Sequence, residues 1–167
     1  MKRRDPRVLS ERQGRWLINL FPPLLFNRIR VVEIGPGCRS CRVRVARSRL
    51  TRNLHGTTFG GTIYTAVDPF HALMYWQVFA RRGERVQVWL RRARIDYVRP
   101  AASALELRFE LTDEDIEQAV AALASEGRCL RNHRVEALDD EGRICAIAET
   151  EVYLRRPHAE QREVSVF

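Results

Sequence analysis

Two adjacent glycines, Gly60 and Gly61, stand at the start of a long apolar segment. If that segment is a helix, the backbone N–H groups of its first turn have no helical acceptor, and glycine lets a ligand approach them closely. Such a terminus stabilises the oxyanion that forms when an ester or thioester carbonyl is attacked. The alternative at this point is a helix start where glycine only permits tight packing.

Asp68 is the only acidic residue between Gly60 and Ala80. A carboxylate among apolar neighbours is either satisfied locally or available as a base or nucleophile. Because Pro69 follows it, Asp68 could also be the N-cap of a new helical segment that begins at the proline. Both interpretations are consistent with the local sequence.

The spacing of the two features sets a condition on any chemistry that uses both. On one continuous helix, Gly60 and Asp68 are about 12 Å apart along the axis, because each residue adds about 1.5 Å. They cannot both contact one carbonyl group. A hydrolytic site that uses them must take the helix start from one copy of the chain and the carboxylate from another, which predicts a homodimer.

The motif around these residues resembles a known superfamily. Asn53, Gly56 and the run Phe59-Gly60-Gly61, followed by Asp68, are similar to the motif of hotdog-fold acyl-CoA thioesterases of the phenylacetate-pathway type. The segment 95–101, Ile-Asp-Tyr-Val-Arg-Pro-Ala, is similar to that superfamily's extended strand, which ends in an aromatic residue and an Arg-Pro turn. The resemblance covers residues 28–154. Phe59 replaces a histidine found in many members and Pro69 follows the acid, so the closer match is a thioesterase-like branch.

The resemblance implies an α+β hotdog fold, in which an antiparallel sheet wraps around a long central helix, here with an extra N-terminal helix. It also implies homodimers or tetramers with composite sites that hydrolyse acyl-CoA or an acyl carrier protein thioester. Asp68 would activate water or attack the thioester, Gly61 would donate its amide to the carbonyl oxygen, and Asn53 would orient the water or substrate. The residues expected to bind substrate are Gly56, Phe59, Gly60, Tyr97 and Arg99. No metal and no cofactor is expected, since coenzyme A is part of the substrate.

The elements that must position these residues follow from apolar periodicity and turn residues. A helix is predicted over 10–26, with Ser10 as N-cap and a bend or end at Pro22-Pro23, and a buried helix over 59–80. A helix is also predicted over 112–126, with a Thr112/Asp115 capping box and a stop at Gly127. Strands are predicted as hairpin-like pairs over 28–34 and 41–46, 86–98 and 104–111, and 128–138 and 143–154. The predicted divisions are an N-terminal helical extension (1–27), a hotdog domain (28–156) and a C-terminal tail (157–167).

Composition limits the class of protein. The 167 residues suffice for one domain, and 29 basic against 21 acidic residues give a net charge of +8. That charge favours anionic partners, yet the sequence has no helix-turn-helix, zinc-finger or RNP-type motif, so nucleic acid is not an expected partner. No signal peptide and no transmembrane segment is recognisable, and a cytoplasmic protein with reduced thiols is predicted. Cys38 and Cys41 are interpreted as small buried thiols in a turn and a strand.

Two groups of residues keep open alternatives. Arginines at 91, 92, 94 and 99 could bind the phosphates of coenzyme A or simply face solvent on a strand. The apolar stripe Trp16, Leu17, Leu20, Phe21 and Leu24 could cover an acyl tunnel, lie on a membrane surface or pack against the sheet. The functional hypotheses are a thioester hydrolase and, second, a catalytically silent hotdog module that binds acyl-CoA or acyl carrier protein.

Overall fold

The computed structural model describes residues 7–157, which form five α-helices and six β-strands. The helices are α1 (Glu11–Leu20), α2 (Pro22–Phe26), α3 (Gly60–Val67), α4 (Phe70–Arg81) and α5 (Asp113–Ser125). The strands are β1 (Ile29–Ile34), β2 (Ser40–Val45), β3 (Gln87–Tyr97), β4 (Leu105–Glu110), β5 (Arg128–Leu138) and β6 (Ile144–Arg155). The predicted α+β class and the predicted element order are confirmed. Within the described residues, no helix is long and apolar enough to cross a bilayer.

The strands form one antiparallel sheet in the order β1-β2-β4-β5-β6-β3. The first and last predicted strand pairs are hairpins, but the middle one is not. β3 pairs with β6 at one edge, whereas β4 pairs with β2 and β5 inside the sheet. The link between β3 and β4 is therefore a crossover. Alternation of apolar residues predicts that a segment is a strand, but the neighbour of that strand depends on which faces are buried together.

The sheet packs its inner face on the central helix, which is interrupted once. α3 ends before Asp68, and α4 begins after Pro69. Proline has no N–H to continue the helical ladder, yet Asp68 (φ −53°, ψ −59°) and Pro69 (φ −86°, ψ −20°) keep right-handed helical backbone angles. The predicted single helix is therefore two consecutive segments. The core residues they contribute include Ile63, Ala66, Val67, Phe70 and Met74.

The helix ends follow the expected signals. Ser10 caps α1, and Thr112 caps α5 in a reciprocal box with Asp115. Pro22 and Pro23 end the first helix as predicted, because α1 stops at Leu20 and the prolines become the first positions of the short α2. The extra N-terminal helix is thus a helical pair.

The two edges of the sheet are treated differently. The Asn19 side chain of α1 donates to the backbone oxygen of Val31 (3.1 Å) and accepts from its N–H (2.7 Å), and Arg15 donates to the oxygen of Val32. Helix α1 thus covers the free edge of β1, as natural sheets often do. Strand β3 is 11 residues long and has β6 as its only strand partner among the described residues. Its outer edge is open.

Three of the four cysteines are buried, and Cys129 is partly buried. Cys38 is buried in the turn after β1 and Cys41 is buried in β2, as the sequence predicted. Burial raises the pKa of the Cys41 thiol to about 12. Because the thiolate is the reactive form, this thiol is a packing group rather than a nucleophile.

Candidate active site

The loop that leads into α3 is held together by Asn53. Its Oδ1 accepts from the N–H groups of His55 (3.0 Å) and Thr57 (3.1 Å), and its Nδ2 donates to the Thr57 hydroxyl (2.9 Å). Gly56, at φ +78°, makes the turn inside this loop. The structure therefore gives Asn53 and Gly56 a local role in shaping the loop. Contact of either residue with water or substrate stays a prediction.

The end of that loop is fixed to its surroundings by backbone hydrogen bonds. The N–H of Phe59 donates to the oxygen of Thr51 (2.7 Å), and that of Thr58 donates to the oxygen of Ala101 (2.9 Å). Thr51 is fully buried, and its hydroxyl donates to the oxygen of Ala46. These bonds attach the start of α3 to the end of β2 and to the crossover after β3.

Gly60 and Gly61 are the first two residues of α3. Phe59 precedes them as N-cap and supplies no side-chain acceptor, so neither glycine N–H has a partner in its own helix. Both glycines are partly exposed. The positive end of the helix dipole therefore faces an accessible surface, and an anionic oxygen placed there would be stabilised.

Tyr97, the last residue of β3, lies against the start of α3. Its hydroxyl donates to the oxygen of Gly60 at 2.9 Å. A Cβ at position 60 would lie 3.0 Å from the tyrosine Cζ and hydroxyl, so the absence of a side chain there makes room for the ring. The structure thus brings together Gly60 and Tyr97, two predicted site residues that are 37 positions apart in the sequence.

Apolar side chains around the helix start are uncovered. Phe59 is 57% exposed and Tyr97 is 55% exposed, and Tyr64, one turn into α3, is also exposed. The Phe59 ring lies beside Gly61, where a Cβ would be 2.4 Å from its Cε1. Large exposed apolar groups that lie together commonly mark a binding or interaction surface.

Asp68 lies on the same side of the central helix as Gly60 and Tyr64, because these residues are spaced by four. Its side chain is exposed in the single chain and forms no hydrogen bond or salt bridge with residues 7–157. Neighbouring protein atoms that displace water raise the pKa of its carboxyl group. The N-cap of α4 is Pro69, without a side-chain bond, so the capping interpretation of Asp68 is wrong.

Arginines near the end of β3 are only partly engaged. Arg91 is 3.6 Å from Glu151, and Arg94 is 3.5 Å from Asp96. Arg99 is exposed after the strand, with its backbone N–H bonded to the oxygen of Cys145. The guanidinium groups accordingly reach solvent, and a role in binding phosphate stays a prediction.

A buried polar cluster on the inner side of the molecule was missed by the sequence analysis. The His71 and His133 rings stack with centroids 4.1 Å apart, and the Tyr75 hydroxyl is 3.2 Å from Nε2 of His133. Asp115 and Arg131 form a salt bridge (3.1 Å) beside them. Burial, with the neighbouring His133, lowers the pKa of His71 to about 3. The only local signal was the alternation that places residues 129, 131 and 133 on one face of a strand.

The cluster has no arrangement of ligands for a metal ion. Among residues 7–157, no group of three or more His, Cys, Asp or Glu side chains lies close enough to hold one. The Nδ1 atom of His71 has no hydrogen-bond partner, although the residue is only 3% exposed.

Comparison with solved structures supports one fold. A protein of unknown function from Pseudomonas aeruginosa, described as a probable thioesterase, is 18% identical, with a TM-score of 0.80 over 90% of this chain and 98% of that one. A protein from Shewanella oneidensis that is described as a putative thioesterase is 23% identical, with a TM-score of 0.66 over 85% of this chain and 93% of that one. The PaaI protein of Escherichia coli, from the phenylacetic acid degradation operon, is 11% identical (TM-score 0.60; 88% and 92% covered).

At these identities the similarity shows the fold, which is the hotdog fold that the motif predicted. No curated protein compared with the chain matches it. A family described as a domain of unknown function, DUF4442, matches residues 11–154, which include both N-terminal helices and all six strands except the last residue of β6. The chain is therefore a hotdog-fold member of the DUF4442 family.

Proposed function

We propose that this protein hydrolyses acyl thioesters of the acyl-CoA class at a site shared by two copies of the chain. One observation carries the proposal: the uncapped start of α3 and an unpartnered carboxylate with a raised pKa lie on the same exposed side of the central helix. The first is suited to stabilise an oxyanion, and the second is suited to act as a base. Similarity to structures described as thioesterases supports the same reaction class.

Two copies are needed because the groups are separated. The helical rise puts about 12 Å between Gly60 and Asp68 within one chain. The open edge of β3 offers the means of association, since an antiparallel pairing of β3 with its copy continues the sheet across a two-fold axis. The exposed aromatic residues at the start of α3 lie at the end of that strand and would be covered by the partner.

The proposed reaction uses water. The thioester carbonyl oxygen accepts a hydrogen bond from the N–H of Gly61 and a second from the N–H of Gly60. The partner's Asp68 takes a proton from the water molecule that attacks the carbonyl carbon. The new C–O bond gives a tetrahedral oxyanion, which collapses as the C–S bond breaks. The thiolate leaves with the proton returned from the carboxyl group. In the alternative route, the Asp68 carboxylate attacks the carbonyl first, the C–S bond breaks and the thiolate leaves, and water hydrolyses the resulting anhydride to the acid and the free carboxylate.

The thiol portion would be coenzyme A or an acyl carrier protein. The β3 arginines lie along the strand that ends at Tyr97 and Arg99 follows its end, so an extended anionic thiol could follow this edge toward the start of α3. Guanidinium groups bind phosphate through paired N–H donors.

Thiol release from acyl-CoA substrates of increasing chain length tests the proposal. We expect Asp68→Asn and Asp68→Ala to reduce kcat/KM by about 10²- to 10⁴-fold, the contribution of a general base. Asp140→Asn is the matched control, because Asp140 is an exposed carboxylate in the β5–β6 turn, paired with Arg44. Turnover that is unchanged in the Asp68 variants would overturn the assignment.

A catalytically silent module is the second candidate, and the position of Phe59 favours it. The ring lies against Gly61 and supplies no polar atom where a histidine would. In that case acyl-CoA would bind saturably with no release of thiol, and Phe59→Ala would not produce turnover.

A further inference from the structure

We infer that the α1–α2 pair is a docking surface for an anionic phospholipid membrane. This inference is independent of the hydrolase proposal, because it rests on a different part of the molecule. The starting observation is that α1 is bonded to the protein through polar side chains and leaves two of its large apolar side chains, Trp16 and Leu20, exposed.

The side of α1 that faces the sheet is largely polar. Asn19 bonds to both backbone groups of Val31, and Glu11 accepts from the N–H of Gly37 (3.1 Å) and pairs with Arg81 (3.0 Å). Gly14 is buried and Ile18 packs against the core. The helix is therefore fixed to the sheet by polar bonds and by Ile18, without use of Trp16 or Leu20.

The pair also carries large apolar side chains that the rest of the protein does not cover. Trp16 is 64% exposed and Phe26 is 70% exposed. Arg12, Trp16 and Leu20 are spaced by four and form one stripe on α1. The large apolar side chains exposed on residues 7–26 include Val8, Trp16, Leu20, Leu25 and Phe26. A helix pair with aromatic and leucine side chains outward is typical of segments that lie in the interfacial layer of a bilayer.

Charge decides between a membrane and a second copy of the same face. Residues 7–26 contain three arginines (7, 12 and 15) and one acidic residue, Glu11, which is already paired with Arg81. Contact of this face with its own copy would bring like charges together, whereas anionic headgroups would neutralise them. In the preceding sequence, Lys2, Arg3 and Arg4 are basic and Asp5 is acidic, so residues 1–6 add further net positive charge.

Co-sedimentation of the full chain with vesicles tests the inference. We expect binding to phosphatidylcholine vesicles that contain about 30 mol% phosphatidylglycerol, little binding to pure phosphatidylcholine, and weakening by added salt. The double variant Trp16→Gln/Phe26→Gln should bind at least about tenfold more weakly, because each side chain loses its apolar contact. Arg12→Gln should bind about fivefold more weakly, the effect of one charge near the surface.

Matched controls lie on the outer face of the sheet. Leu130→Gln removes an exposed apolar side chain from β5, and Arg134→Gln removes an exposed charge from the same strand. Both should bind vesicles like the wild type. Trp16→Phe should also bind, but should lose the blue shift of tryptophan emission that vesicles produce in the wild type.

Two results would overturn the inference. One is binding to anionic vesicles that the double variant retains in full. The other is a wild type that does not bind vesicles and self-associates more strongly than the double variant in analytical ultracentrifugation. This result would make the face a contact between copies of the chain. Thiol release measured in the same preparations keeps failure here distinct from failure of the hydrolase proposal.

Discussion

At the scale of single residues, Asp68 is a carboxylate in an unfavourable place. Its side chain has no hydrogen bond or ion pair with residues 7–157, and partial desolvation raises the pKa of the carboxyl group. A raised pKa means that the folded protein disfavours the charged form. Unpartnered groups of this kind are more common at functional sites than in purely structural positions.

This position predicts a stability effect opposite to that of a salt-bridged acid. Above the raised pKa the folded state contains a penalised carboxylate, whereas below the ordinary value near 3.8 both states are protonated and the penalty is absent. Asp68→Asn should therefore slightly raise the free energy of unfolding at pH 7.5 while it lowers kcat/KM for hydrolysis. Urea denaturation measures this, and a loss of stability in the Asn variant at pH 7.5 would contradict it.

Residue-scale features were predictable only where the signal is local. The Gly60-Gly61 pair and Asp68 are visible in the sequence because each departs from its apolar surroundings. The contact between Tyr97 and Gly60 joins residues 37 positions apart and has no local signature. The hydrogen bonds of Asn53 likewise became apparent only once the loop closed around its side chain.

At the scale of elements, β3 is the sheet edge that α1 does not cover. Neighbouring residues of an antiparallel strand direct their N–H groups to opposite sides. Of Ala93→Pro and Arg94→Pro, one therefore removes a donor toward β6 and the other removes a donor on the open edge. If β3 pairs with its copy, one of these variants should be a folded monomer and the other should be strongly destabilised.

Sedimentation velocity and circular dichroism distinguish the outcomes of that experiment. The wild type should sediment as a dimer or larger assembly. A wild-type monomer at micromolar concentration, or two folded variants that both keep the wild-type mass, would contradict pairing through β3.

The extent of each element was largely predictable, but the connections were not. Ser10, Thr112 and Gly127 mark helix ends through caps and turn preferences that act within a few residues. The interruption at Asp68-Pro69 left two local interpretations open, and only the packed structure decides between them. The crossover between β3 and β4 depends on burial against the central helix, which no single segment specifies.

At the scale of the whole molecule, the stacked pair of buried His71 and half-buried His133 makes stability depend on pH. His71 has an ordinary pKa near 6.5 in the unfolded chain and about 3 in the fold, where burial and His133 oppose its charge. Burial lowers the pKa of His133 as well, although the nearby Asp115 carboxylate partly offsets this decrease. The contribution of neutral His71 to stability is therefore fully present above pH 6.5 and is lost progressively as the pH falls toward 3.

We expect the free energy of unfolding to fall by about 2 kcal/mol between pH 7.5 and pH 5 through His71 alone. His71→Phe keeps an aromatic ring against His133 and Phe109 and should reduce this acid-dependent loss. His55→Gln is the control, because His55 is exposed and should leave the profile unchanged. Urea denaturation across this pH range measures both, and an unchanged slope in His71→Phe would contradict the assignment.

The overall architecture followed from the sequence for two reasons. Paired strands around one apolar helix exclude a parallel sheet, and the Asn53–Asp68 motif resembles a hotdog superfamily. The polar cluster did not follow, because His71, Asp115 and His133 come from three elements that meet only in the assembled fold. The exposure of the α1 apolar side chains was equally unpredictable, because amphipathic spacing does not indicate which side of a helix contacts the sheet.

Subunit complementation tests the composite site most directly. Asp68→Asn removes the carboxylate. Gly61→Pro removes the N–H at the second position of α3. The second position of α2 is already a proline, Pro23. Neither variant alone should hydrolyse acyl-CoA, but random mixing of the two makes half the dimers mixed, each with one intact site. The expected activity is about one quarter of the wild type. Activity no greater than that of the separate variants, in mixtures shown to contain mixed dimers, would contradict a site built from two copies.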